Sequence, residues 1–129
     1  MSALRIDLAR VHDLLDAGAS APGEHRVLVD RLWPRGISKT RLALDEWDRD
    51  AAPSTDLRRA LHHGEMGFEE FTARYRRELD ASGAARALRE RALAAGAEDL
   101  TLLFAAKDTE HTHALVLREA LEDCERAEG

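Results

Sequence analysis

Apolar residues recur along this chain in two rhythms. Over residues 4–9 they alternate with polar ones, placing Leu4, Ile6 and Leu8 on one side. Period two is the signature of a strand with one covered face, and edge or near-edge placement follows. Val27, Leu28 and Val29 instead run together, and residues 100–106 form a second apolar run. Such runs suit strands covered on both faces, as in a parallel sheet. Strands are therefore predicted over residues 26–31 and 100–106. A third is predicted over residues 42–48, with Ala43, Asp45 and Trp47 on one face.

Between the strands the period lengthens to that of a helix. Pro53-Ser54-Thr55-Asp56 precedes Leu57, Ala60 and Leu61, which gives a hydroxyl N-cap, an acidic first turn and an apolar stripe that fades near Gly64. Phe68, Phe71, Tyr75 and Leu79 lie three and four apart, predicting an amphipathic helix over residues 67–81 with an aromatic inner face. Gly83 breaks it, an alanine-rich helix resumes over 84–95, and Gly96 ends that. Ala114, Leu117, Leu121 and Cys124 form the inner face of a last helix, predicted over residues 110–126. Residues 11–17 could form a helical turn, 18–23 a loop, and 32–40 an irregular, surface-facing loop. Strands separated by helices predict an α/β fold, a single three-layer domain over residues 1–129 with a mainly parallel sheet of about four strands flanked by helices.

Composition narrows the function. The chain has 129 residues, 44% hydrophobic, enough for one real core. Its formal net charge of −6 argues against general binding of nucleic acid or of an anionic membrane. Residues 26–41 reverse that sign, with Arg26, Arg31, Arg35, Lys39 and Arg41 against Asp30 alone, a net of +4. A local reversal fits a pocket for a small anionic ligand. Lys39 and Arg41 could equally face water or pair with Asp45, Glu46, Asp48 or Asp50 downstream. Cys124 is the lone cysteine, so no internal disulfide forms, and a reducing, cytoplasmic setting is expected. The opening residues lack the apolar core of a signal peptide, and no apolar run approaches membrane-spanning length.

Both apolar strands end in charged clusters, Asp30-Arg31 and Lys107-Asp108, which a parallel sheet brings to one edge, where α/β folds take their ligands. Arg31 and Arg35 offer planar forks for a phosphate or carboxylate, and Lys107 offers a point charge. Ser54 and Thr109 open helices whose N-termini could add backbone donors. Trp33, fixed in extended geometry by Pro34, could stack on a planar ligand. Asp30, Asp108 and His113 are the candidate acid/base groups. Arg31 and Arg35 could instead form structural pairs with Asp30 or Asp108, and His113 could be a satisfied core histidine. Tyr75 and Trp47 read as core, and Glu78 as a partner for Arg74 or for the basic cluster. His62-His63 and His111-x-His113 are poorly spaced to share an ion on a helix, so no metal site and no cofactor are expected. No phosphate-cradling or nucleophile-elbow glycine motif occurs.

Arg26-Val-Leu-Val-Asp-Arg-Leu-Trp-Pro-Arg-Gly36, Pro53-Ser54, Phe71-x-x-Arg74-Tyr75-x-x-Glu78-Leu79 and Leu100-Thr-Leu-Leu-Phe-Ala-Ala-Lys-Asp108, followed by His113-Ala-x-Val-Leu117, run nearly the length of the chain. Together they resemble the YeaO-like family of small uncharacterised bacterial proteins, a domain of unknown function. The resemblance implies a cytoplasmic α/β domain and draws attention to Asp30, Arg31, Trp33, Pro34, Arg35, Lys107 and His113. This chain has Thr112 where the family pattern has asparagine. The functional expectation is a compact anionic ligand, a nucleotide or sugar phosphate, held at the strand carboxyl ends with acid/base catalysis. The alternative is a non-catalytic ligand-binding, regulatory or protein-interaction module.

Overall fold

The computed structural model describes residues 4–128, so the first three residues of the segment read for a signal peptide lie outside it. Four strands, β1 (Arg5–Arg10), β2 (Glu24–Leu28), β3 (Glu46–Trp47) and β4 (Asp99–Phe104), form one sheet in the order β1-β4-β2-β3, all pairs parallel. β4 is central, pairing Leu102 with Leu8 on one side and with Val27 on the other. The four helices are α1 (Thr55–His62), α2 (Phe68–Ser82), α3 (Ala84–Ala94) and α4 (His113–Glu128).

Alternation along the strands divides two cores. Val27, Val29, Leu100, Leu102 and Phe104 face the helices and pack with Leu57, Phe71, Tyr75, Leu88, Leu117 and Leu121. Leu28 and Leu103 face the other way, onto Val11, Leu42 and the partly buried Trp33, Ile37, Leu44 and Trp47. The third layer is thus a 3₁₀ turn (Val11–Leu14) with irregular chain between β2 and β3. The loop expected to face the surface is part of this cover, with Pro34 buried and Trp33 half-buried.

Several boundaries differ from expectation for physical reasons. β2 ends at Leu28, although Val29 N–H still donates to Leu103 O at 3.0 Å. One residue further on, the Asp30 carboxylate takes over, its Oδ2 accepting from Ala105 N–H at 2.9 Å. β3 is two residues long because Leu42 and Leu44 turn in to cover the sheet instead of pairing. α4 begins at His113, not near Glu110. Asp108 Oδ1 accepts from the N–H groups of Glu110 and His111 and holds them in a turn. Thr112, buried, leads into the helix, with Ala114 N–H directed at its Oγ1 (3.4 Å).

Ser54 caps α1 as expected, its hydroxyl accepting from Leu57 N–H at 3.2 Å. Glu78 does not pair with Arg74, which bonds Glu70 instead; Glu78 Oε1 accepts from Ser54 N–H at 2.9 Å and ties α2 to the start of α1. Gly83, at φ 71, ends α2 and opens α3 in one residue, a left-handed corner that favours glycine. Cys124 is only half-buried.

Candidate functional site

A cavity of about 620 Å³ opens at the carboxyl edge of the sheet. Asp30 and Arg31, just past β2, form part of its wall together with Leu32, Trp33, Pro34 and Arg35. The lead into α1 contributes Ala52 and Pro53, and α1 itself Arg58, Leu61 and His62. Phe71 comes from α2, and the segment from β4 to the first residue of α4 brings Ala105, Ala106, Asp108, His111, Thr112 and His113. Among the candidates read from sequence, Asp30, Arg31, Trp33, Arg35, Asp108 and His113 meet here. Lys107, Ser54 and Thr109 do not line it. Lys107 and Thr109 point to solvent, and Thr109 lies in the Asp108 turn and not at a helix start.

The anionic side chains of the wall are committed to the protein's own backbone. Asp30 Oδ2 is held by Ala105 N–H, while Oδ1 is closed off from solvent without an aligned donor. His113 Nε2 lies 3.2 Å from that Oδ1 and 2.9 Å from Val29 O. A carbonyl oxygen only accepts, so Nε2 carries a proton and donates it to Val29 O. Both side chains are more than four-fifths covered, at 18% and 16% exposure. His113 therefore joins the end of β2 to the start of α4 and stands edge-on to Tyr75, 6.2 Å between centroids. Tyr75 OH donates to Ala51 O, and burial pushes its phenol well above the ordinary range. Asp108 lies exposed at the rim, where the N–H of Glu110 and then the His111 side chain hold its carboxyl below the ordinary range.

The cations are less committed. Arg31 does not pair with Asp30 or Asp108; its Nε and Nη2 donate to Pro53 O (3.1 Å) and Ala52 O (3.4 Å). Arg35 is exposed and, among the described residues, has no carboxylate partner. Arg58 was not singled out from sequence. It is half-buried, its Nε is enclosed with no partner, and it makes no ion pair among the described residues. Its one sequence signal is position, since a cation in the first turn of a capped helix opposes the helix dipole. By contrast Arg41 pairs with Asp16, upstream and not downstream, at 2.9 Å, and Lys39 sits 6.0 Å from the Trp33 ring. Trp33 is anchored, its indole N–H donating to Ile37 O at 2.6 Å and its ring edge-on to Trp47 at 5.4 Å. Trp47 is half-buried and donates to Asp30 O at 2.8 Å.

Among the described residues no three His, Cys, Asp or Glu side chains converge as a metal site, and no helix is long and apolar enough to cross a membrane.

Similarity to known proteins runs the length of the chain. A family model described as the inactive DUF488-N3 subclade matches residues 5–129. The uncharacterized protein YeaO of Escherichia coli (strain K12) is 44% identical over 120 residues, covering 92% of this chain and 97% of that protein. The uncharacterized protein Rv3073c of Mycobacterium tuberculosis (strain ATCC 25618 / H37Rv) is 38% identical over 117 residues, covering 91% and 93%. No solved structure matches. With a family model spanning nearly all of it and relatives matched along almost their full length, the chain belongs to the YeaO-like DUF488 family.

Proposed function

We propose that the cavity at the strand carboxyl ends binds a compact anion, a phosphate or carboxylate of the size of a nucleotide or sugar phosphate, without turning it over. One observation carries this reading: Arg31, Arg35 and Arg58 face the same cavity, and none is paired with a carboxylate among the described residues. The chain as a whole is acidic, so guanidinium groups left unpaired in one concavity leave room for an external anion. The word "inactive" in the description of the matching family model supports binding without catalysis.

Thermal unfolding with and without inorganic phosphate tests the reading, since a ligand that binds only the native state raises apparent stability. Phosphate is expected to raise Tm beyond chloride at equal ionic strength, and Arg35→Gln with Arg58→Gln to abolish the rise. An equal response of the double variant would refute it. The contact between Asp30 and His113 favours a second reading, acid/base catalysis, which requires a substrate to reach one of these two groups.

A further inference from the structure

The polar groups of this cavity fall into two sets. The deeper acceptors already hold donors of the protein's own. Asp30 Oδ2 takes Ala105 N–H and its Oδ1 is closed off from solvent. Asp108 takes the N–H groups of Glu110 and His111, and Arg31 occupies the carbonyls of Ala52 and Pro53. What remains free comprises the cations Arg35 and Arg58 and, at the exposed rim, the ring of His62 and the Nε2 of His111. Much of the wall is apolar, made by Leu32, Trp33, Pro34, Leu61 and Phe71. Leu32 stands out among them at 64% exposure, the most exposed of the large hydrophobic side chains described, and it sits at the mouth between Arg31 and Trp33.

The geometry points to an occupant that joins its anionic group to an apolar or aromatic body, as in an aryl phosphate or aromatic carboxylate, with that body lying on Leu32. A polyhydroxylated ligand such as a sugar phosphate is disfavoured. A sugar hydroxyl laid against Leu32, Trp33, Pro34, Leu61 and Phe71 finds no acceptor among those side chains, and once water is expelled an unmatched hydroxyl costs on the order of tenfold in affinity. An apolar body gains from the same wall and covers a leucine that otherwise faces water. This inference rests on the anion reading above and narrows it.

Calorimetric titration of the full chain with inorganic phosphate, phenyl phosphate and ribose 5-phosphate tests it, because the last two carry the same anion on unlike bodies. Phenyl phosphate is expected to bind at least about tenfold tighter than ribose 5-phosphate, reflecting the unmatched hydroxyls. Leu32→Ser, at a position too exposed to threaten folding, is expected to weaken phenyl phosphate several-fold and leave inorganic phosphate unchanged. Ribose 5-phosphate binding as tightly as phenyl phosphate would overturn the inference while leaving the anion reading intact. Leu32→Ser altering self-association but not phenyl phosphate affinity would overturn it as well. Failure of all three probes to bind would overturn both.

Discussion

Arg58→Met is expected to make the ligand-free protein more stable and less responsive to phosphate. The enclosed Nε of Arg58 has no partner, and a polar group removed from water without a replacement bond costs about 1–3 kcal/mol. Arg58 is also the fourth residue of α1, where a cation opposes the helix dipole by roughly 0.3–1 kcal/mol. Arg31 and Arg35 share the cavity and add like-charge repulsion. Methionine keeps an unbranched stem to pack near Leu61 and Phe71 and removes all three penalties. Because the side chain is only half-buried, those figures are upper bounds, and a net gain of about 0.5–2 kcal/mol is expected. For a domain of this size that is roughly 3–5 °C in Tm per kcal/mol. Urea denaturation in buffer free of polyvalent anions measures the gain as a higher midpoint at unchanged m. A loss of more than about 1 kcal/mol would mean that Arg58 is a structural residue, and an undiminished response to phosphate would remove it from the proposed anion site.

Arg31 and Arg35 are expected to behave differently from each other. Arg31→Ala releases two backbone carbonyls and should cost about 1–3 kcal/mol by urea denaturation, whereas Arg35→Ala should stay within roughly 0.5 kcal/mol; equal losses would contradict the contacts described. Arg89 bonds Glu125, which also accepts from Leu4 N–H, so Arg89→Ala is expected to cost about 1–3 kcal/mol by freeing a largely covered carboxylate. Tyr75 is the single tyrosine, and its phenol is pushed up in the folded state. A group with a raised folded pKa contributes its full stability below the unfolded value, near 10 for tyrosine, and loses it as pH rises toward the folded value. Tyrosinate absorbance should therefore appear only together with alkaline unfolding, and a reversible titration near pH 10 in folded protein would refute the burial argument.

How much of this was legible in the sequence depended on whether the signal was local. The runs at Val27–Val29 and around Leu102 exposed both inner strands, because a strand covered on two faces has no polar alternation to offer. They also placed Asp30 and Arg31 at the carboxyl edge. What covers a buried face is not a local property. The far side of the sheet is closed by Trp33, Ile37, Leu42 and Leu44 from irregular chain, and the apolar positions of residues 42–48 therefore read as a longer strand than the two residues that pair. Lys107 follows a strand end as closely as Arg31 does, yet the Asp108 turn carries the chain away and leaves it in solvent. Arg58 is the converse case. Only the docking of α1 against α2 brings it to the cavity wall, and no periodicity within α1 records that angle.

The carboxylates that made the strand ends look catalytic bear on binding versus turnover through which of their atoms remain free. A general acid or base must present its proton-carrying atom to the substrate. Asp30 uses one oxygen to continue the pairing of β2 with β4 where the backbone ladder stops, and encloses the other beside His113. His113 in turn fixes its Nε2 on Val29 O, and Asp108 is drawn below the ordinary carboxylate range by the N–H groups it holds in a turn. Each of the three therefore has a structural bond on at least one of its polar atoms. The guanidinium of Arg58 has no such bond among the described residues, and Arg35 has none either. A ligand edge keeps its position in the fold whether or not chemistry occurs there; the cations left without a carboxylate at that edge are the ground on which the proposal of an anionic ligand stands.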